Sequence, residues 1–136
     1  MSLPLSEFKS KCEDRQKIIV SREKKKEHIA INDNNCLVRQ LKIDGYVITE
    51  NIKKCDYLVL NDDKFAAYFI ELKGTDISDA IKQIEQTVEM LKSDLINYDK
   101  KLRIVFSGQV KPGTILAWQL KNKNADAKRD TYTDYI

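Results

Sequence analysis

Polar and apolar positions along this chain fall into blocks with two different periods. The clearest short-period block spans residues 55–72. Cys55-Asp56-Tyr57-Leu58-Val59-Leu60 and Phe65-Ala66-Ala67-Tyr68-Phe69-Ile70-Glu71-Leu72 are rich in aromatic and branched residues, and Asn61-Asp62-Asp63-Lys64 between them is turn chemistry. A β-hairpin is predicted. The clearest long-period block follows it. Asp76 is a good N-cap, and Ile77, Ile81, Ile84, Val88, Leu91 and Leu95 recur at a 4-3-4-3-4 spacing. That spacing predicts an amphipathic helix of about 20 residues ending near Asn97. Leu102-Arg103-Ile104-Val105-Phe106 is a short apolar run that fits a buried strand, joined to residues 65–72 by the helix as a right-handed crossover.

The flanks carry weaker patterns. Pro4, Leu5, Phe8 and Cys12 suggest a helix over residues 4–16, and Lys17-Ile18-Ile19-Val20 reads as a strand or as that helix continuing. Residues 22–27 are polar throughout, and residues 28–32 alternate weakly. Leu37, Arg39, Leu41 and Ile43 share one parity before the turn signal Asp44-Gly45, and Tyr46-Val47-Ile48 resumes the apolar pattern. Residues 29–72 are therefore expected to form an antiparallel meander. Beyond Lys111-Pro112-Gly113, Thr114 caps an expected second helix carrying Ile115, Leu116, Trp118 and Leu120, with Trp118 as a core anchor. The remaining tail is polar and basic, and is expected to be disordered or to add an edge strand. The expected architecture is a single α/β (α+β) domain over residues 1–136. Its parts are an N-terminal helical and basic region (1–28), a core with a central mixed sheet (29–107), and a C-terminal helix and tail (108–136).

The hairpin brings chemistry with it. If the four-residue loop pairs Leu60 with Phe65, Asp56, Phe69, Glu71 and Lys73 share one face, with Asp56 and Glu71 as diagonal neighbours. Two carboxylates at roughly 6 Å repel by about 3 kcal/mol at an effective dielectric near 20. A divalent cation between them, with Lys73 beside it, relieves that repulsion.

An acid on one strand of a hairpin, then Glu-x-Lys on the next strand, then a helix, resembles the signature of the PD-(D/E)xK nuclease superfamily. The resemblance covers residues 36–107. Cys55 stands where the Pro of the motif would be. Glu-x-Lys occurs three times in the chain, and only Glu71-Leu72-Lys73 closes an apolar strand and precedes a capped helix. The resemblance implies a restriction-endonuclease-like core and a metal-dependent endonuclease acting on nucleic acid, with DNA favoured. It implies Asp56, Glu71 and the Leu72 backbone carbonyl as ligands of Mg²⁺ or Mn²⁺, and Lys73 as the residue assisting the attacking water. Gln83, ten residues past Lys73, matches a Gln that many members carry on this helix; Thr87 stands where a Tyr is frequent. The superfamily often adds an acid from its first helix, for which Glu7, Glu13 and Asp14 are candidates. Asp44 reads as a turn former, and Glu50 is placed to approach from a loop.

Composition narrows the alternatives. With 42% hydrophobic and 33% charged residues and no long apolar run, the chain reads as a cytoplasmic globular protein. One His and three Cys without Cys-x-x-Cys spacing leave zinc chemistry and a disulfide framework without ligands. The net charge of +3 conceals a basic–acidic–basic pattern: 10 bases and 5 acids over 9–43, 6 and 12 over 44–99, and 8 and 2 over 100–130. Carboxylates for a cation and bases for phosphates would give this pattern. Arg39, Lys42, Lys53 and Lys54 are the bases expected to position a nucleic-acid backbone, and a homodimer is the expected way to cut two strands. A non-catalytic nucleic-acid-binding or protein-interaction domain on the same fold is the alternative.

Overall fold

A computed structural model describes residues 4–136, and its centre is the predicted hairpin. β4 (Tyr57–Asn61) and β5 (Ala66–Leu72) pair antiparallel, and β3 (Val38–Lys42) pairs antiparallel with β4. The helix α1 (Ile77–Met90) then crosses to β6 (Asp99–Phe106), which lies parallel to β5. A second helix, α2 (Pro112–Lys121), crosses to β7 (Ala125–Arg129), parallel to β6. The resulting mixed sheet has the order β3-β4-β5-β6-β7. A second mixed sheet holds β1 (Ile18–Glu23), β2 (Lys26–Ile31) and β8 (Thr131–Tyr135) in the order β1-β2-β8. The fold is thus mixed α/β, with two α-helices among the described residues.

The layers explain the burial. One face of the large sheet (Leu41, Leu58, Leu60, Phe69, Ile104) packs on Ile77, Ala80 and Ile84 of α1 and on Trp118 of α2. The other face (Val59, Tyr68, Ile70, Val105) packs on Ile19, Ala30 and Tyr132 of the small sheet. β5 lies between both layers and is buried along its whole length, as its near-continuous apolar run requires. Glu71 is thereby carried into the interior.

Several expectations need correction. The N-terminal segment is not a helix: only a 3₁₀ turn forms at Leu5–Glu7. Its backbone groups go instead to the edge of β3, with the Lys11 amide donating to Gln40 O (2.8 Å) and the Val38 amide to Asp14 O (2.7 Å). This covers an otherwise open strand. Residues 18–31 form a hairpin turned at Lys24, which takes φ +56, so the meander begins at β3 and not at residue 29. Tyr46-Val47-Ile48 is no strand; the Ile48 amide returns to Ile43 O (2.9 Å) around Gly45 at φ +85. α1 ends at Met90, although Leu91 and Leu95 stay buried in the turns beyond it. Of the two expectations for the polar tail the edge strand holds: it is ordered as β7 and β8, at the edges of the large and small sheets, and passes from one to the other at Asp130 (φ +66).

Candidate active site

The hairpin register differs from the expected one by two residues: Leu60 pairs with Ala67 and Leu58 with Phe69. The turn is longer because Asn61 Oδ1 accepts from the amides of Asp63 (3.1 Å) and Lys64 (2.9 Å), and Phe65 takes φ +55. A shift of two keeps the parity, so Leu58 and Phe69 still share the helix-facing side.

Asp56 departs from the regular ladder. Tyr57 pairs with Ile70, yet the Asp56 amide also reaches Ile70 O (3.1 Å). Two residues of one strand against one of its partner is the geometry of a β-bulge, which re-aims a side chain. The Asp56 carboxylate turns to the edge of β5, where its Oδ2 accepts the Leu72 amide (2.9 Å). Within a strand an amide and its own carbonyl point to the same edge, so the Leu72 carbonyl also faces this side.

Glu71 and Asp56 are nearly inaccessible, at 2% and 8% exposed. Burial first, and then the adjacent Asp56 carboxylate, push Glu71 up to about 9; Asp56 lies near enough to accept a hydrogen bond from the protonated acid. Burial raises Asp56 as well, against the Leu72 amide and Lys42, which favour its anion. Glu71 Oε1 is buried with no hydrogen-bond partner. Lys73 lies near enough to favour the ionised Glu71, and its own pKa is raised, chiefly by hydrogen bonding to Asp79.

The segment leading into Asp56 is clipped to α1 by a polar stripe. Lys53 Nζ binds Asp79 Oδ1, Lys54 O accepts from Gln83 Nε2 (3.1 Å), and the Cys55 amide donates to Thr87 Oγ1 (2.8 Å). Three successive residues thus engage positions 79, 83 and 87, which lie on one face of a helix at a spacing of four. The Thr87 hydroxyl completes its bonding by donating to Gln83 O (2.8 Å). Burial first, and then the neighbouring Glu71, pushes the Cys55 thiol up.

Asp56, Glu71, the Leu72 carbonyl edge and Lys73 are therefore gathered at the end of β5, whereas Gln83, in the middle of α1, is joined to them only through the Lys54 carbonyl. The amide nitrogen of Gln83 is spent on the loop, and its Oε1 is buried without a partner. The expected phosphate-binding bases separate. Lys53 and Lys73 meet at Asp79. Lys42 packs over the Tyr57 ring (4.7 Å) near Asp56. Lys54 is folded back on Glu50 O (2.5 Å) and Ile52 O (3.2 Å), so its donors serve the loop. Arg39 does not belong to the site: it sits opposite Leu60, toward the hairpin turn, in a two-pronged pair with Asp62 (2.7 and 2.9 Å). Glu7, Glu13 and Asp14 lie on the exposed N-terminal segment. The acids whose charges reach Asp56 are Glu23, from the tip of the β1–β2 hairpin, and Asp44. Glu23 carries no distinguishing sequence signal. Asp79, an acid in the first turn of α1, is the residue on which two lysines converge.

Among the described residues, no three His, Cys, Asp or Glu side chains converge on one point. A cation here would be held by two carboxylates and a carbonyl. All are hard oxygen donors, and the partnerless Glu71 oxygen suits such an ion. None of the helices among the described residues is long and apolar enough to cross a membrane. Comparison of the chain with protein-family models, with curated proteins and with solved structures finds no match.

Proposed function

We propose that this protein is a divalent-metal-dependent phosphodiesterase of the PD-(D/E)xK type that cleaves nucleic acid, with DNA as the favoured substrate. One observation carries the reading: two carboxyl groups, Asp56 and Glu71, are buried against each other, with one Glu71 oxygen left without a hydrogen-bond partner and Lys73 beside them. A fold rarely buries such a pair unless a ligand completes it. The chain order of hairpin, crossover helix and parallel strand agrees with a restriction-endonuclease-like core.

A bound Mg²⁺ or Mn²⁺ supplies Lewis-acid polarisation of the scissile phosphate and of the attacking water. Asp56 and Glu71 would hold the ion, and the Leu72 carbonyl would complete the protein's share. Glu71 would have to give up its proton to serve as a ligand, so ion binding is expected to strengthen as the pH rises. Lys73 remains an ammonium at neutral pH because Asp79 favours its charged form. Its role is to neutralise the charge that builds on the phosphate, and not to abstract a proton. Gln83 and Thr87 fix the loop that delivers Asp56.

The test is cleavage of duplex and single-stranded DNA in Mg²⁺ or Mn²⁺ by the wild type, Glu71→Gln and Lys73→Ala. Lys73→Ala is expected to lose ~10²–10³-fold in rate, and Glu71→Gln to lose metal-dependent cleavage. Undiminished cleavage by both variants refutes the mechanism. Salt-sensitive DNA binding by the wild type without any cleavage would point instead to a non-catalytic nucleic-acid-binding domain.

A further inference from the structure

Asp79 stands at the first turn of α1 with a lysine on each of its oxygens. Lys73 Nζ lies 2.6 Å from Oδ2, and Lys53 Nζ binds Oδ1. The two lysines come from different places: Lys73 follows β5 and Lys53 lies in the loop before β4. Each ammonium has three N–H donors. Asp79 is the acid paired with each, which leaves donors on both for a further anion. Two ammoniums gathered around one carboxylate would repel strongly without it. With it, they form a preset pair beside Glu71.

We propose that Lys53 and Lys73 form a two-lysine clamp for the non-bridging oxygens of a phosphodiester, and that Asp79 is the positioning residue that holds the clamp open toward the carboxylate pair. The inference rests on the nuclease reading and adds the phosphate-binding subsite to it. Lys53 is half exposed on its loop, whereas Lys73 is more enclosed, with side-chain exposures of 53% and 29%. Lys53 therefore contributes mainly to holding substrate, and Lys73 mainly to the reacting phosphate. Asp79 is already saturated by lysines and is no metal ligand in this arrangement.

The experiment is steady-state cleavage of a short DNA duplex in Mg²⁺, with melting temperatures, for wild type, Asp79→Asn, Asp79→Glu and Lys53→Gln. Asp79→Asn is expected to lower kcat by ~10- to ~10²-fold through misplacement of Lys73. Its KM is expected to stay level or fall, since the two lysines are no longer neutralised. Asp79→Glu, which keeps the charge, is expected to recover part of kcat. Lys53→Gln is expected to raise KM more than it lowers kcat, and to reduce the salt dependence of duplex binding by about one phosphate contact. If Asp79→Asn does not fold, Lys53→Gln carries the test, because its side chain is on the surface. Wild-type protein that cleaves, with Asp79→Asn and Lys53→Gln indistinguishable from it, overturns the clamp and leaves the nuclease reading standing. Wild-type protein that neither cleaves nor binds DNA overturns both.

Discussion

Two charge clusters beside the large sheet are built on opposite plans. On the small-sheet side, Asp134 of β8 accepts from His28 Nε2 (2.8 Å), Arg103 Nε (2.8 Å) and Arg103 Nη2 (3.2 Å). Arg103 also donates to Asn124 O (2.7 Å) and lies over the rings of Tyr132 (5.1 Å) and Tyr68 (5.7 Å). Burial works against the Asp134 anion, but the bonds from His28 and Arg103 outweigh it and hold the acid below its usual range. At the end of β5, Asp56 and Glu71 lie against each other, and Glu71 is pushed far above its usual range. Both are acids between packed layers. One is complete within the chain and reads as a rivet between the two sheets; the other leaves a buried Glu71 oxygen without a partner and is the proposed site. The direction of the shift separates the two uses, because a carboxylate depressed by its own partners has no ligand left to seek.

The sharpest break of this comparison is stability against activity. Asp134→Ala leaves the Arg103 charge buried without its partner and should cost about 3–5 kcal/mol in urea unfolding. Glu71→Gln should unfold no more easily than wild type while losing cleavage. If Asp134→Ala unfolds like wild type, or Glu71→Gln is the more destabilised of the two, the assignment of rivet and site is reversed.

The clip that delivers Asp56 comes next. Thr87→Val keeps the shape but strands the Cys55 amide, and should cost about 1–3 kcal/mol in the same measurement. An unchanged midpoint would show that the loop docks on α1 without this bond.

The smallest effect is in the pH dependence, where the two acids have opposite signs. Glu71 rises on folding from an ordinary 4.5 to about 9. Its contribution is therefore full below its unfolded value and is lost as the pH rises toward 9. Asp134 is lowered on folding, so its contribution is full above the ordinary carboxylate range and is lost as the pH falls through its depressed value. Glu71→Gln should flatten the decline in stability between pH 5 and 9 by about 1 kcal/mol or more. Thermal stabilisation by Mg²⁺ should grow over the same interval, since ligation must displace the Glu71 proton. A wild-type stability that rises from pH 5 to 9 would contradict the raised acid.

Much of the site was legible because strong local patterns carry it. The alternation over residues 55–72 and the apolar stripe of α1 each commit a long segment to one conformation, and a register error of two left the side-chain faces unchanged. The bulge at Asp56 was not legible, since nothing in Cys55-Asp56-Tyr57 distinguishes a bulged residue from a paired one. Nor was the double use of Asp79: as a first-turn acid it reads only as a favourable charge at a helix start. Arg39 was assigned to the substrate from its charge and strand position, and only the folded chain brings Asp62 round to occupy it.

What the chain determines by itself is the hairpin, the crossover helix and the presence of Asp56, Glu71 and Lys73 around them, because period and capping act over a few residues. What the tertiary structure decides is everything that depends on a distant partner. The strands β1, β2, β7 and β8 are short or polar and are held by neighbours far along the sequence, as β8 is by β2. The burial that turns Glu71 from a strand-end charge into a neutral acid comes from layers that close on both faces of β5, and no local pattern records that closure.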